Sequence, residues 1–466
     1  MVTASSIATA PGALPLLGHL VSLLRDPLGF LMSLPEHGDL VRVRFGPFQA
    51  MIVCDPGLTR HVLLDDRTFD KGGPLFDRGR ELAGDGLLTC PHSEHRRQRR
   101  MLQPAFHPSR LLGYAQTMTA QIVDVTGSWR DGQVLDVLAE MHAITARVTL
   151  VTMFSDTLSA SVLHQALDDL TTLLHGISRR VLLPPPLDRL PTPGNRRYHQ
   201  SLARLRQTLG GIIADRRASG TDRGDLLSGL LATRDPDPAD ARPSLSDAEI
   251  SDQVVTFFVA GVETAATVLA WALHLLAQHP GIEERLHAEV DAVLQGGAAA
   301  HEHLPKLELT SRIITETLRL YPPAWVVTRS TVVDTHLGGH PIPAGTAIAY
   351  SPYLIHHRPD LYPDPECFDP DRWDGTHRPP PPRDAFIPFG TGPRKCIGDQ
   401  FGMIEATLGL ATIAARWHLR SLPGQPVRPD PNTFVLQPRG LRMRAVARPH
   451  ANGPTPGTGD VRTPRF

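Results

Sequence analysis

The chain has 466 residues, 41% hydrophobic and 20% charged, and its 47 Lys and Arg are balanced by 48 Asp and Glu. This is the make-up of an ordinary soluble globular protein, and its bulk charge argues for neither nucleic acid nor an anionic membrane surface as a partner. Four widely spaced cysteines, Cys54, Cys90, Cys367 and Cys396, argue against a disulfide framework and fit a reducing cytoplasm.

In chain order, residues 1–24 carry no Asp, Glu, Lys or Arg, but Pro11, Gly12, Pro15 and Gly18 interrupt them. Neither a spanning helix nor a signal peptide is expected there, and residues 1–15 read as a leader. Alternation in Val41-Arg42-Val43-Arg44-Phe45 and then Met51-Ile52-Val53 predicts a small hairpin followed by a helix. Helical periodicity then dominates to residue 325, with breaks at Lys71–Leu88, Val181–Asn195 and Asp235–Ser244. The first two breaks are long and partly apolar, as substrate-covering loops often are. The longest predicted helix spans Asp247–His279, opened by the capping-box pair Ser246 and Glu249 and stopped by Pro280. Short Pro- and Gly-spaced runs such as Thr346–Tyr350 predict strands after residue 325. The whole reads as one mainly α domain with a minor β part over residues 1–448, and the Pro-, Gly- and Thr-rich residues 449–466 as a disordered tail.

Phe389 to Gly398 reads Phe-Gly-Thr-Gly-Pro-Arg-Lys-Cys-Ile-Gly. A free cysteine is most often a small buried hydrophobe, which is the default for Cys396 taken alone. Its neighbours reverse that balance. Arg394 and Lys395 would favour a thiolate, Gly392 and Gly398 would let the backbone turn tightly against a flat cofactor, and N–H groups of the turn could point at sulfur.

Midway along the longest helix lies Ala260-Gly261-Val262-Glu263-Thr264. A glycine there costs up to about 1 kcal/mol and a threonine can bond back to a carbonyl; the plain reading is close packing of a neighbouring helix. Glu316 and Arg319 stand three apart on one predicted helix face, by default a solvated pair of little energetic weight. His95 and Arg99 stand four apart in a basic helical segment that also holds Arg96, Arg97 and Arg100. Cys90, His92 and His95 are close enough for zinc to be weighed, but no second Cys/His pair follows at finger-like spacing. The absence of a Gly-x-Gly-x-x-Gly after a strand argues against direct nicotinamide nucleotide binding.

The pattern Phe389, Gly392, Arg394, Cys396 and Gly398 resembles the haem-binding loop of the cytochrome P450 family, and the other segments fall where that family has them. The resemblance implies a single-domain, mainly α fold with haem b between the long central helix and the cysteine loop, and Cys396 as the axial iron ligand. Phe389, Ala260 and Gly261 would lie against the haem; His95, where many members have tryptophan, would join Arg99, Arg329 and Arg394 at its propionates. Glu263 and Thr264 would be the acid–alcohol pair that relays protons. Glu316, Arg319 and Arg372, from Phe368-Asp369-Pro370-Asp371-Arg372-Trp373, would form a buried network holding the thiolate loop. The activity implied is a monooxygenase of EC class 1.14, fed with electrons from NAD(P)H through ferredoxin reductase and a ferredoxin. Arg96, Arg97 or Arg100 would offer an acidic donor its docking patch, with a solvated basic face as the equal alternative.

Leu75, Phe76, Leu87, Leu88, Phe257, Ala260, Ala324, Val326, Val327 and Phe434 fall in segments resembling the family's substrate-recognition regions. Each could equally be ordinary core, but together they favour a small hydrocarbon-like substrate. Lys71–Pro74, His95–Pro108 and Leu190–Arg197 resemble actinobacterial sesquiterpene oxidases, the pentalenene-oxidising group above all. That implies oxidation of a methyl group to alcohol and then aldehyde in antibiotic biosynthesis. The alternatives are a hydroxylase of fatty acids, sterols or polyketides, a haem-thiolate isomerase or dehydratase needing no electron donor, and a haem sensor. A cytoplasmic monomer with no membrane or nucleic-acid partner is expected.

Overall fold

In the computed structural model, residues 7–449 are described, apart from 156–159, 182–189, 236, 238–241, 377–380, 383, 425, 431–432 and 434. One helix, Asp247–Gln278, organises the rest. Ser246 Oγ accepts the Glu249 N–H at 3.2 Å and Glu249 Oε2 accepts the Ser246 N–H at 2.8 Å, so the capping box predicted from sequence forms. Pro280 begins the next helix, Pro280–Leu294. The break falls one residue earlier than expected, with His279 as the C-cap.

This central helix belongs to two cores at once. Its residues Ile250 to Val262 pack into an apolar cluster with the helices Val137–Phe154, Ala160–Val181 and Pro193–Ser219. Its residues Ala266 to Leu276 pack into a second cluster with Pro108–Gly127, Glu308–Leu320 and Asp399–Arg416. The small-residue notch at 260–264 sits where the two cores meet. The central helix and Val137–Phe154 are long and apolar enough to cross a membrane by composition, yet 78% and 61% of their most apolar windows are buried inside the molecule.

A third core lies under a six-stranded sheet ordered Ala8–Thr9, Leu40–Phe45, Phe48–Val53, Ala347–Tyr350, Val327–Thr331, Phe69–Asp70. The predicted hairpin is its centre, with Leu40 opposite Val53 and Phe45 opposite Phe48. The helix Pro56–Leu64 follows, its first turn capped by Asp55 Oδ1 on the Leu58 N–H at 2.8 Å. The leader is tied in from residue 8: Ala8 pairs with Val41, and the His19 ring bonds the Ala10 carbonyl at 2.8 Å.

Two expectations need correction. The break at Lys71–Leu88 contains a helix, Pro74–Ala83, which Gly73 starts from a φ of 90° that other residues rarely adopt. The long helical stretch is also interrupted by a short strand, Val134–Asp136, paired with Arg442–Ala447. The middle of the Val181–Asn195 break and residues 450–466 lie outside the described residues.

Candidate active site

Cys396 stands in a loop whose geometry is set by its glycines. Gly390 and Gly392 take φ of 66° and 71°, and a Cβ on Gly392 would lie 2.6 Å from the Leu63 carbonyl oxygen, so no other residue fits. Gly398 does not share that role, since its φ is −97°. The Cys396 N–H bonds the Phe389 carbonyl at 2.9 Å, closing the loop on itself. Cys396 is exposed and forms part of the wall of a large cavity. Burial raises its thiol pKa, opposed by the Gly398 N–H, Arg99 and Lys395. Lys395 therefore acts as expected. Arg394 does not: its guanidinium turns to Asp70 at 2.7 Å, Asp66 at 3.3 Å and the Cys90 carbonyl at 2.9 Å.

Across the cavity lie Ala260, Gly261 and Thr264 of the central helix. Thr264 Oγ1 donates to the Ala260 carbonyl at 2.7 Å. A Cβ on Gly261 would meet Thr149 Oγ1 at 3.0 Å, so the notch is a close-packing site for Val137–Phe154 and a cavity wall together. Glu263 faces elsewhere and does not line the cavity. Its Oε2 accepts from Gln437 Nε2, and its Oε1 lies 3.7 Å from His142 Nε2.

The cavity edge is cationic. Lys71, Arg329 and Arg394 all line it. Burial, Arg329 and Arg394 hold the Lys71 ammonium well below its usual pKa. Arg329 is 2% exposed, and its Nε and Nη1 are buried with no hydrogen-bond partner. Unpaired buried guanidinium is costly, so this edge fits a ligand carrying carboxylates. A flat cofactor with two carboxylates and an iron for Cys396 suits the set. His95 and Arg99 are not among the lining residues, though Arg99 is close enough to Cys396 to act on its thiol. Arg99 Nη1 donates to the Lys395 carbonyl, and burial together with Arg394 pushes the His95 pKa down to about 3.

Most of the remaining wall is apolar: Phe76, Leu88, Phe257, Ala324, Val326, Val327 and Val435 line it, as does Phe389 of the cysteine loop. Leu87 does not; it is buried in the core shared with Phe258 and Val254. The Leu75 side chain and Phe434 lie outside the described residues. Sequence reasoning missed Lys71 as a site residue, although a lone cation before Gly72-Gly73-Pro74 was a signal. It also missed Thr149, Thr152 and Glu405 on the wall, whose buried oxygens lack hydrogen-bond partners.

Beneath the loop, the Glu316–Arg319 pair is fully buried, which overturns the solvated default. Arg372 Nε approaches Glu316 Oε1 at 3.5 Å and Trp373 Nε1 donates to Oε2 at 2.8 Å. Arg319 also donates to the carbonyls of His356, Pro365 and Cys367. His356 relays this order to the loop, its Nε2 accepting the Ile387 N–H at 2.9 Å.

The expected docking arginines are largely spoken for. Arg97 is buried and donates to Glu249 Oε1 at 2.6 Å, and Arg100 chelates Asp235 at 3.0 and 3.2 Å. Arg96 is exposed. Among the described residues no three His, Cys, Asp or Glu side chains converge to hold a metal ion, and the Cys90 thiol, pushed up to about 11 by burial, touches Arg394.

The chain matches the family described as Cytochrome P450 over residues 9–445. It is 49% identical to a cyclooctat-9-en-7-ol 5-monooxygenase of Streptomyces melanosporofaciens, covering 89% of this chain and 90% of that protein. It is 46% identical to a pentalenene oxygenase of Streptomyces avermitilis, covering 94% and 97%. The solved haem domain of cytochrome P450DA superposes with a TM-score of 0.86 at 28% identity, covering 96% of this chain and 98% of that one.

Proposed function

Because this chain belongs to the cytochrome P450 family, and is a haem b monooxygenase of EC class 1.14, we propose that it oxidises an unactivated carbon of an apolar terpenoid. The finer reading is a sesquiterpene methyl group taken to alcohol and then aldehyde, in antibiotic biosynthesis. The observation that carries the terpenoid reading is the apolar wall facing Cys396, with its cations confined to one edge. Such a wall repays desolvation of a hydrocarbon and has little to pair a charged substrate. Relatives named for terpenoid oxidation support it. A second reading, a larger terpenoid that already carries a hydroxyl, is favoured by Thr149 and Thr152, whose buried hydroxyls lack partners on the wall.

The bound haem supplies the iron that activates dioxygen with two external electrons, sending one oxygen atom to substrate and one to water. The residues of the chain hold and feed it. Cys396 would hold it as the thiolate, and the Gly398 N–H, Arg99 and Lys395 offset the cost of burying that charge. Arg329 and Arg394 would take the propionates together with His95 and Arg99, with Lys71 on the same edge, and Arg99 also braces the loop through the Lys395 carbonyl. Thr264 Oγ1 can leave the Ala260 carbonyl to hold a water in the notch, and Glu263 passes protons to it. The electron donor is a ferredoxin, and the protein works as a cytoplasmic monomer.

The test is a titration of purified ferric protein with pentalenene, cyclooctat-9-en-7-ol and a long-chain fatty acid, following the Soret band. A saturable spin shift with pentalenene alone supports the sesquiterpene reading, and one with the diterpene alcohol alone supports the second. A shift only with the fatty acid sinks the terpenoid reading and leaves the haem assignment standing. Turnover without an electron donor would favour an isomerase.

A further inference from the structure

We propose that His142 and Gln437 complete the proton supply to Glu263, so that protons enter between the helix Val137–Phe154 and the strand Gln437–Arg439 rather than through the substrate cavity. This rests on the reading of Glu263 and Thr264 as a proton-relaying pair. Successive helix residues point about 100° apart, and here that separation divides two compartments: Thr264 lines the cavity and Glu263 does not.

Glu263 is 15% exposed and His142 29% exposed, so this side of the central helix reaches solvent. The His142 Nε2 atom is nevertheless buried and makes no hydrogen bond. It points at Glu263 Oε1 from 3.7 Å, beyond hydrogen-bonding range but within reach of a small side-chain rotation. Imidazole can take a proton at one ring nitrogen and release it from the other near neutral pH.

Both partners are held in register independently of Glu263. Thr145, one turn after His142, donates through Oγ1 to the Val262 carbonyl at 2.9 Å. Trp271 Nε1 donates to the Leu436 carbonyl at 2.8 Å, fixing the backbone beside Gln437. Gln437 then holds Glu263 outward. In the cycle His142 gives its Nε2 proton to Glu263 Oε1 and is reprotonated from water. Glu263 leaves Gln437, turns and gives that proton to the water held by Thr264. Two such passages supply the two protons that, with two donor electrons and one dioxygen, yield one water and one oxygenated product.

The test uses the haem-loaded enzyme with its donor and any substrate that turns over, comparing wild type with H142Q, Q437L, E263Q, T264A and H142Q/E263Q. Peroxide released per electron pair and the solvent isotope effect on product formation are read in each. A second readout is independent of turnover: thermal midpoints of H142Q, E263Q and the double variant form a cycle that departs from additivity if the two side chains interact. The expected result is several-fold more peroxide and a larger isotope effect in H142Q, no further change in the double variant, and non-additive midpoints. If H142Q does not load haem, Q437L reads the same route from another element and must show the same rise in peroxide. Wild-type coupling in H142Q and Q437L while E263Q releases peroxide overturns this proposal and leaves the acid–alcohol pair intact. Wild-type coupling in E263Q and T264A overturns the pair, and this proposal with it.

Discussion

Arg319 grips Glu316 through two hydrogen bonds, Nε to Oε2 at 2.9 Å and Nη2 to Oε1 at 2.8 Å, with both side chains sealed from solvent. The pair acts as a bolt. Arg319 fastens the carbonyls of His356, Pro365 and Cys367, and His356 fastens Ile387, two residues before the cysteine loop begins at Phe389. Breaking one side of a buried pair strands the other charge and costs about 3–5 kcal/mol. Glu316→Ala should therefore fold poorly or purify with little haem. Haem content and the thermal midpoint check this, and a fully loaded variant of wild-type stability would refute it.

Arg329→Leu should act with opposite signs on two measurements. Its Nε and Nη1 are buried without a partner on the cavity edge, so replacing it should raise the stability of the haem-free protein. Haem binding should weaken by about 2–5 kcal/mol, the usual cost of losing one side of a desolvated charge pair. Urea unfolding of the haem-free form and haem transfer to an acceptor protein measure the two effects. Lower stability of the haem-free form would contradict the assignment.

Thr264→Ala should leave haem loading intact and cut product formation by about 10²-fold, the scale of a lost proton-transfer group, with electrons appearing as peroxide instead. The parent hydroxyl makes only a local bond to the Ala260 carbonyl within its own helix. Unchanged coupling would show that the hydroxyl serves the helix alone.

Acid should destabilise this protein through its buried histidines. His356 accepts from the Ile387 N–H at Nε2 and so bonds the Arg319 carbonyl through Nδ1–H, a neutral tautomer. Burial, His357 and Arg319 hold its pKa well below the ordinary value. Burial likewise lowers His357 from 6.5 to about 4. Above 6.5 the His357 ring is neutral in both folded and unfolded chains, and its contribution is complete. As pH falls from there to about 4, only the unfolded chain takes up the proton, so stability is lost, by roughly 3 kcal/mol at most for His357. His357→Asn should flatten the pH dependence of unfolding in that window. An unchanged slope would be the contrary result.

Much of this was readable before any coordinates, wherever a feature depended on residues close in the chain. Ser246 and Glu249 had to satisfy each other's N–H groups because they are three apart at a helix start, and Val41 and Val43 had to share a face because strands alternate. The cysteine loop was legible for the same reason. Arg97 was not: whether its guanidinium meets water or the Glu249 carboxylate depends on how two distant helices dock. Leu87 and Leu88 are equally apolar and adjacent, yet only Leu88 reaches the cavity, since which of two neighbours faces inward depends on the tertiary packing of the turn that holds both. Lys71 was hidden by the rule that lysines stay outside, which fails here because it lines the cavity edge with Arg329 and Arg394.

Gly261 ties the room above the cysteine to the joint between two helices. Any side chain there would meet Thr149 Oγ1 at 3.0 Å before it altered the cavity. At Gly261 the ceiling of the reaction chamber can gain a side chain only if Thr149 gives way, whereas the side walls at Phe76, Leu88, Ala324 and Val435 carry no such constraint from that joint.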